Sequence, residues 1–282
     1  GPERLLAEGG LDQGDPVRNL APIPPRPILS LELDEEAVPV EAGLAATVVK
    51  EHEGDETHDL RLLGEEPEET DIEEGPYAGG VQYTYEILQD ATWDDGDPIT
   101  ARDYIFTVKA ALNPKVEGNR WRGYLSYIKD VEIDPENIRK FTVTVYPKFS
   151  SSKLISSNFV LYPAYVYDPD GLLGGIRVNQ LSEMEEALAL AEEDDRLQQF
   201  AEAFNSEKYA RDPEFVKGSG PYALKSWETG QRIVLERKSD WWGDQYSEAY
   251  DILRAYPEQL VFEPVPDPAT TAAKVKAQEL DL

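Results

Sequence analysis

The segment that most restricts how this chain can fold starts at Gly218-Ser219-Gly220-Pro221-Tyr222, runs through the alternating residues 231–237 and stops at Trp241-Trp242 before Gly243. Two glycines and a proline in four residues favour a tight turn, because glycine reaches positive φ without a steric penalty and proline fixes φ near about −65°. Glu228-Thr229-Gly230 supplies a second turn beyond Trp227. Ile233, Leu235 and Arg237 then share one strand face, with Val234 and Glu236 on the other. A β-hairpin closed by aromatics is expected, an element that the surface of an ordinary α/β domain would also accommodate.

Strand and helix signals mix along the rest of the chain. Val81-Gln82-Tyr83-Thr84-Tyr85-Glu86-Ile87-Leu88 alternates β-branched and aromatic residues with polar ones, as a half-buried strand does. A turn at Asp94-Asp95-Gly96-Asp97-Pro98 follows, and Thr100 with Asp103 then forms a capping-box pair. The helix that it opens carries Tyr104, Ile105, Val108 and Leu112 and is stopped by Asn113-Pro114. Phe141, Val143 and Val145 mark another strand. Ser182 with Glu185 signals a second helix carrying Met184, Leu188, Leu197, Phe200 and Phe204, with an interruption at residues 192–195. The expected fold class is mixed α/β.

The flanking segments read differently. Residues 1–28 are rich in proline and glycine and should be extended and irregular, whereas residues 28–33 permit a strand or a short helix. Residues 51–75 are crowded with Asp and Glu and read as a solvated loop. His52 and His58, the only histidines, lie in that run at a spacing that places them on no common helix face. A metal site built from these carboxylates is the sharper alternative, but no calcium-loop spacing and no H-E-x-x-H helix is present.

Composition narrows the function classes. At 282 residues the chain can bury a substantial core in one large or two smaller domains. It has no cysteine, which excludes disulfides and thiol catalysis. A formal net charge of −29 excludes a nucleic-acid partner, whose phosphates require clustered Lys and Arg. Such acidity keeps a surface well solvated and would also suit a saline setting. No apolar run is long enough to span a membrane, and the first residues lack a signal-peptide layout. Because the chain opens on Gly1, a processed, trimmed or fragmentary chain is expected, with room for an export signal upstream.

Catalytic signatures are scarce. There is no G-x-S-x-G elbow, phosphate-binding loop or zinc-protease helix. Asp94-Asp95 beside Trp93 is the most tempting acid pair and keeps a glycan-processing hydrolase open as an alternative, together with a purely structural acidic surface protein. Trp121, Tyr124 and Tyr127 recur at three-residue spacing, either as core-rim aromatics or as the lining of a ligand groove.

Three motifs in order resemble the extracellular solute-binding proteins of family 5, the peptide, dipeptide and nickel receptors of ABC importers. Residues 83–88 and 92–104, Thr-Trp-Asp-Asp-Gly-Asp-Pro-Ile-Thr-Ala-Arg-Asp-Tyr in the latter, are similar to that family's strand, "F-x-D-G-x-P-x-T-A-x-D" turn and helix. Gly218-Ser219-Gly220-Pro221-Tyr222 through Trp242 is similar to its "G-T-G-P-Y" hairpin. Residues 272–282 are similar to its segment ending in "G-E-I-D", although Gln278-Glu279-Leu280-Asp281 lacks the glycine.

The resemblance implies a periplasmic-binding-protein-like type II lobe with the extra domain of the peptide-receptor class. Residues 1–28 and 164–282 would form the first lobe and residues 29–163 the extra domain, with the second lobe expected beyond Leu282. It implies capture of a peptide or similar small solute by lobe closure, with Trp121, Tyr124, Arg18 and Asn19 at the ligand. It implies no catalysis, cofactor or metal. A monomer working with a membrane permease is implied, periplasmic or extracellular, and lipid-anchored if an upstream segment supplies the anchor. Asp95-Gly96 and the Gly218 motif would set turns and packing, and the acidic run 51–75 departs from the family pattern.

Overall fold

The computed structural model describes residues 66–117, 119–248 and 253–280. The readings for residues 1–65, among them His52, His58, Arg18 and Asn19, lie outside the described residues.

The first part is an antiparallel four-stranded sheet with helices packed on it. Its strands are β1 (Glu68–Asp71), β2 (Val81–Glu86), β3 (Ile128–Ile133) and β4 (Lys140–Val145), in the order β1-β2-β4-β3. Val81, Tyr83 and Tyr85 of β2 face inward and pair in register with Val145, Val143 and Phe141 of β4, all six buried. Tyr85 and Phe141 lie 5.7 Å apart, ring to ring. On the opposite face the Thr84 and Thr142 hydroxyls share a 2.9 Å hydrogen bond, the cross-strand pairing a solvated face allows.

Against the apolar face lies α1 (Ala101–Leu112), which starts and stops where its sequence directs. The Thr100 N–H donates to Asp103 Oδ2 at 2.8 Å and the Arg102 N–H to Thr100 Oγ1 at 3.3 Å, so orphan donors of the first turn are satisfied. Asn113 is the C-cap; its side chain also donates to the Leu197 carbonyl at 2.9 Å, tying the helix end to a later element. Tyr104, Phe106, Val108 and Leu112 are buried, and the Tyr104 ring sits 4.5 Å from Phe141.

Short helices α2 (Asn119–Leu125), α3 (Ser152–Ser157) and α4 (Ala164–Tyr167) follow, then α5 (Met184–Glu193), α6 (Asp195–Phe204) and α7 (Glu207–Arg211). The expected interruption occurs at Asp194, whose carboxylate caps α6 by accepting from the Arg196 N–H at 3.1 Å. The start of α5 differs from expectation. Glu183, not Ser182, is its N-cap, and the Ser182 hydroxyl turns back to the Asn179 carbonyl at 3.4 Å. Met184 and Leu188 point to solvent while Ala187 and Ala191 face the core, because the break at Asp194 lets α5 and α6 choose their buried faces separately. On α6 the buried face is Leu197, Phe200, Ala201 and Phe204.

The acidic run also departs from the loop reading. Residues 68–71, Glu-Glu-Thr-Asp, form β1, every side chain exposed. Their backbone pairs with β2, and Lys148 Nζ bridges Glu69 and Asp71, each at 2.6 Å. Pairing with an ordered neighbour makes this strand, against its own residue preferences.

The second part is a three-stranded antiparallel sheet, β5 (Tyr222–Glu228), β6 (Arg232–Arg237) and β7 (Gln259–Phe262), in that order, followed by α8 (Pro268–Lys276). The hairpin expected from the sequence is β5–β6, turning at Gly230 with φ of 71°. Val234 is buried there, while Ile233 and Leu235 are half-buried. Gly218 and Gly220 are not in the left-handed region, and residues 219–221 form a bend rather than the expected positive-φ turn. Glycine is sterically required at 243 instead, where an added Cβ would come within 2.3 Å of the Trp241 ring.

Candidate functional site

The two motifs that mark the chain, 124 residues apart, meet in space. In the first, the Trp93 N–H donates to the Asp97 carbonyl at 2.8 Å and Gly96, at φ of 88°, closes the turn back to Trp93. Trp93 is buried beneath, and the turn presents Asp94 to the second motif. Asp94 Oδ2 accepts the Gly218 N–H at 2.9 Å, and its other oxygen pairs with Lys238 Nζ. The neighbouring Ser219 carbonyl accepts both indole N–H groups, Trp241 Nε1 at 2.8 Å and Trp242 Nε1 at 2.9 Å. Tyr246 adds a 3.0 Å hydrogen bond to Asp90.

This arrangement removes the paired-acid reading. Asp94 is committed to a cation and a backbone amide, whereas Asp95 lies exposed and accepts from the Tyr165 hydroxyl at 2.6 and 2.7 Å. Burial, with the Asp95 carboxylate beside it, pushes the Tyr165 hydroxyl well above its ordinary pKa, so it stays a donor. The two carboxylates serve separate partners and share no reacting centre.

The candidate ligand aromatics sit on α2. That helix is pinned by Arg122, whose guanidinium donates to the carbonyls of Asn113 at 2.5 Å and Val116 at 3.3 Å and is itself buried. Trp121 is half-buried against the main core, whereas Tyr124 is 57% exposed. Tyr127, beyond the helix, lies tilted against Phe149 with ring centroids 4.7 Å apart. The core-rim and groove readings therefore divide between residues: Trp121 packs inward, whereas Tyr124 and Tyr127 are exposed. Arg18 and Asn19 lie outside the described residues. A separate open cavity of about 300 Å³ runs along the end of β2, lined among others by Glu68, Glu86, Ile87, Leu88, Gln89 and Lys140. Neither Trp121 nor Tyr124 reaches it.

Lys238 is the residue that sequence reasoning missed. Nothing in its sequence neighbourhood marks it as other than a surface hairpin lysine, since its partner Asp94 lies in a motif far away in the chain. Among the described residues no group of acidic and histidine side chains is arranged to hold a metal ion, and no helix is long and apolar enough to cross a membrane.

The chain belongs to the bacterial extracellular solute-binding proteins, family 5: residues 76–282 match the model of that family's middle region. It is similar to the oligopeptide-binding protein AppA of Bacillus subtilis (strain 168), 25% identical over 203 residues, covering 72% of this chain and 30% of that protein. It is also similar to the periplasmic oligopeptide-binding protein OppA of Escherichia coli (strain K12), 20% identical over 205 residues, covering 71% and 32%. Among solved structures, the oligopeptide-binding protein of Thermus thermophilus matches with a TM-score of 0.51 at 19% identity, over 79% of this chain and 35% of that one. At that identity the likeness establishes the fold. The chain spans about a third of the length of the relatives it matches.

Proposed function

We propose that this protein is the solute-binding receptor of an ABC importer, capturing a peptide or similar small solute by closure of two lobes. The observation that carries the reading is the family match over residues 76–282, joined to relatives named as oligopeptide-binding proteins. The chain acts as a receptor and not as an enzyme; commitment of Asp94 to Lys238 and Gly218 speaks against the hydrolase alternative. Residues 1–28 and 164–282 contribute to the first lobe and residues 29–163 to the extra domain, the division that the family resemblance implies. Tyr124 and Trp121 contact the ligand, together with Arg18 and Asn19. The receptor works with a membrane permease as a periplasmic or extracellular monomer, lipid-anchored if an upstream segment supplies the anchor.

Titration calorimetry of the natural full-length protein against a peptide library tests this. Heat and a thermal shift with at least one peptide class are expected, weakened by Tyr124→Ala. Absence of both with every peptide would remove the peptide version.

A further inference from the structure

The second sheet has little apolar attachment of its own. No residue of β5, β7 or α8 is buried, and Val234 is the buried residue of β6. The three strands pack broadly only on one another. Among the described residues, two attachments join them to the α/β body: Arg211 at the end of α7, which donates to the Thr229 hydroxyl at 3.0 Å and lies over the Trp227 ring, and the fuller junction at residues 218–221. There, Asp94 holds the Gly218 N–H, Ser219 holds both tryptophans, and Lys238 reaches back to the Gly218 carbonyl at 3.4 Å while its own N–H donates to the Pro221 carbonyl at 2.9 Å. Trp242 adds the aromatic contact with the main core.

At the centre is an ion pair largely withdrawn from water, the Lys238 and Asp94 side chains being 16% and 11% exposed. Salt screens such a pair poorly, and removing one partner strands the other charge. We propose that the Asp94–Lys238 pair is a clasp that sets the orientation of the β5–β6–β7 sheet on the α/β body. Closed, the two parts move as one; opened, the three strands shift as a unit while the body keeps its fold. The clasp does not depend on the receptor reading.

Hydrogen exchange on the full chain tests it. In Asp94→Asn, amides of the β5–β6 ladder should exchange roughly a hundredfold faster, as loss of one partner of a buried pair implies, with the β2–β4 ladder unchanged. Lys238→Met, which keeps the aliphatic stem, should act alike, and the double variant, with no stranded charge, should return towards wild type. Asp95→Asn is the control and should leave both ladders alone. The absence of cysteine permits a second readout, spin labels at Gln231→Cys and Glu136→Cys on the two exposed turns, whose distance distribution should broaden in each single variant. Unchanged exchange and distances, or equal acceleration of both ladders, overturns the proposal. Failure of both single variants to fold does so too, because a clasp acts locally.

Discussion

The four-stranded and three-stranded sheets show the same alternation in sequence and very different burial. In β2 and β4 the apolar residues pair across the strands and lie under α1, whose Tyr104 packs on Phe141. In β5, β6 and β7 apolar residues also pair, Leu224 with Leu235 and Ile233 with Trp227 and Phe262, yet all of them stay half-buried or exposed. Alternation says which residues share a face; a covering layer decides whether that face becomes a core. The body also takes cations inside: Lys109 donates to the Leu173 carbonyl at 3.1 Å and Arg139 to that of Leu88 at 2.6 Å. Burial lowers both pKa values, and carbonyl acceptors offset the lost water.

The contrast can be broken most directly by truncation on either side of it. Phe141→Ala should cost about 3–5 kcal/mol in chemical denaturation, whereas Ile233→Ala should cost about 1 kcal/mol. Equal losses would show that the second sheet has a core of its own.

Acid titration sharpens the difference within the body. Burial raises the Asp103 carboxyl above its usual value near 3.8, against the Ala164 and Thr100 hydrogen bonds that lower it. A carboxyl with a raised folded pKa contributes stability that is complete below the unfolded value and lost as pH rises through the folded one. The stability difference between wild type and Asp103→Asn should therefore shift against the wild type as pH rises from about 4. A pH-independent difference would contradict the assignment.

Smaller effects belong to the caps. Thr100→Ala should destabilise the body by about 1 kcal/mol, read as a lower denaturation midpoint with unchanged slope. At the end of α8, Gln278 has φ of 60°, its N–H donates to the Val275 carbonyl at 3.1 Å and the next N–H, of Glu279, to that of Lys274 at 3.0 Å. This is a helix stop that favours glycine in the left-handed position. Gln278→Gly should stabilise α8 by about 0.5–1 kcal/mol, seen as slower exchange of its amides with none elsewhere; faster exchange would refute the strained-cap account. That position is where Gln278-Glu279-Leu280-Asp281 departs from the family's glycine, so the departure is a conformational one.

Local chemistry was readable. The Thr100–Asp103 cap, the stop at Asn113, the strands around Tyr83 and Val143, the break near Asp194 and the β5–β6 hairpin all depend on neighbours within a few residues. The acidic strand β1 was not readable, because Glu68–Asp71 owes its conformation to pairing with β2. Neither was the start of α5, where Ser182 found a carbonyl acceptor behind it in place of the helix donors ahead. Of the candidate ligand residues, the aromatic pattern on α2 was visible, but only packing separated the inward Trp121 from the exposed Tyr124.

By itself, then, the order of residues determined the mixed α/β class, the family and most element boundaries, since caps, turns and alternation act over short spans of chain. The tertiary structure alone decided that Asp94 and Lys238, 144 residues apart by their numbers, neutralise each other beside Gly218. A charge selects whichever opposite charge the fold brings within reach in a poorly solvated place, and no local pattern encodes that choice.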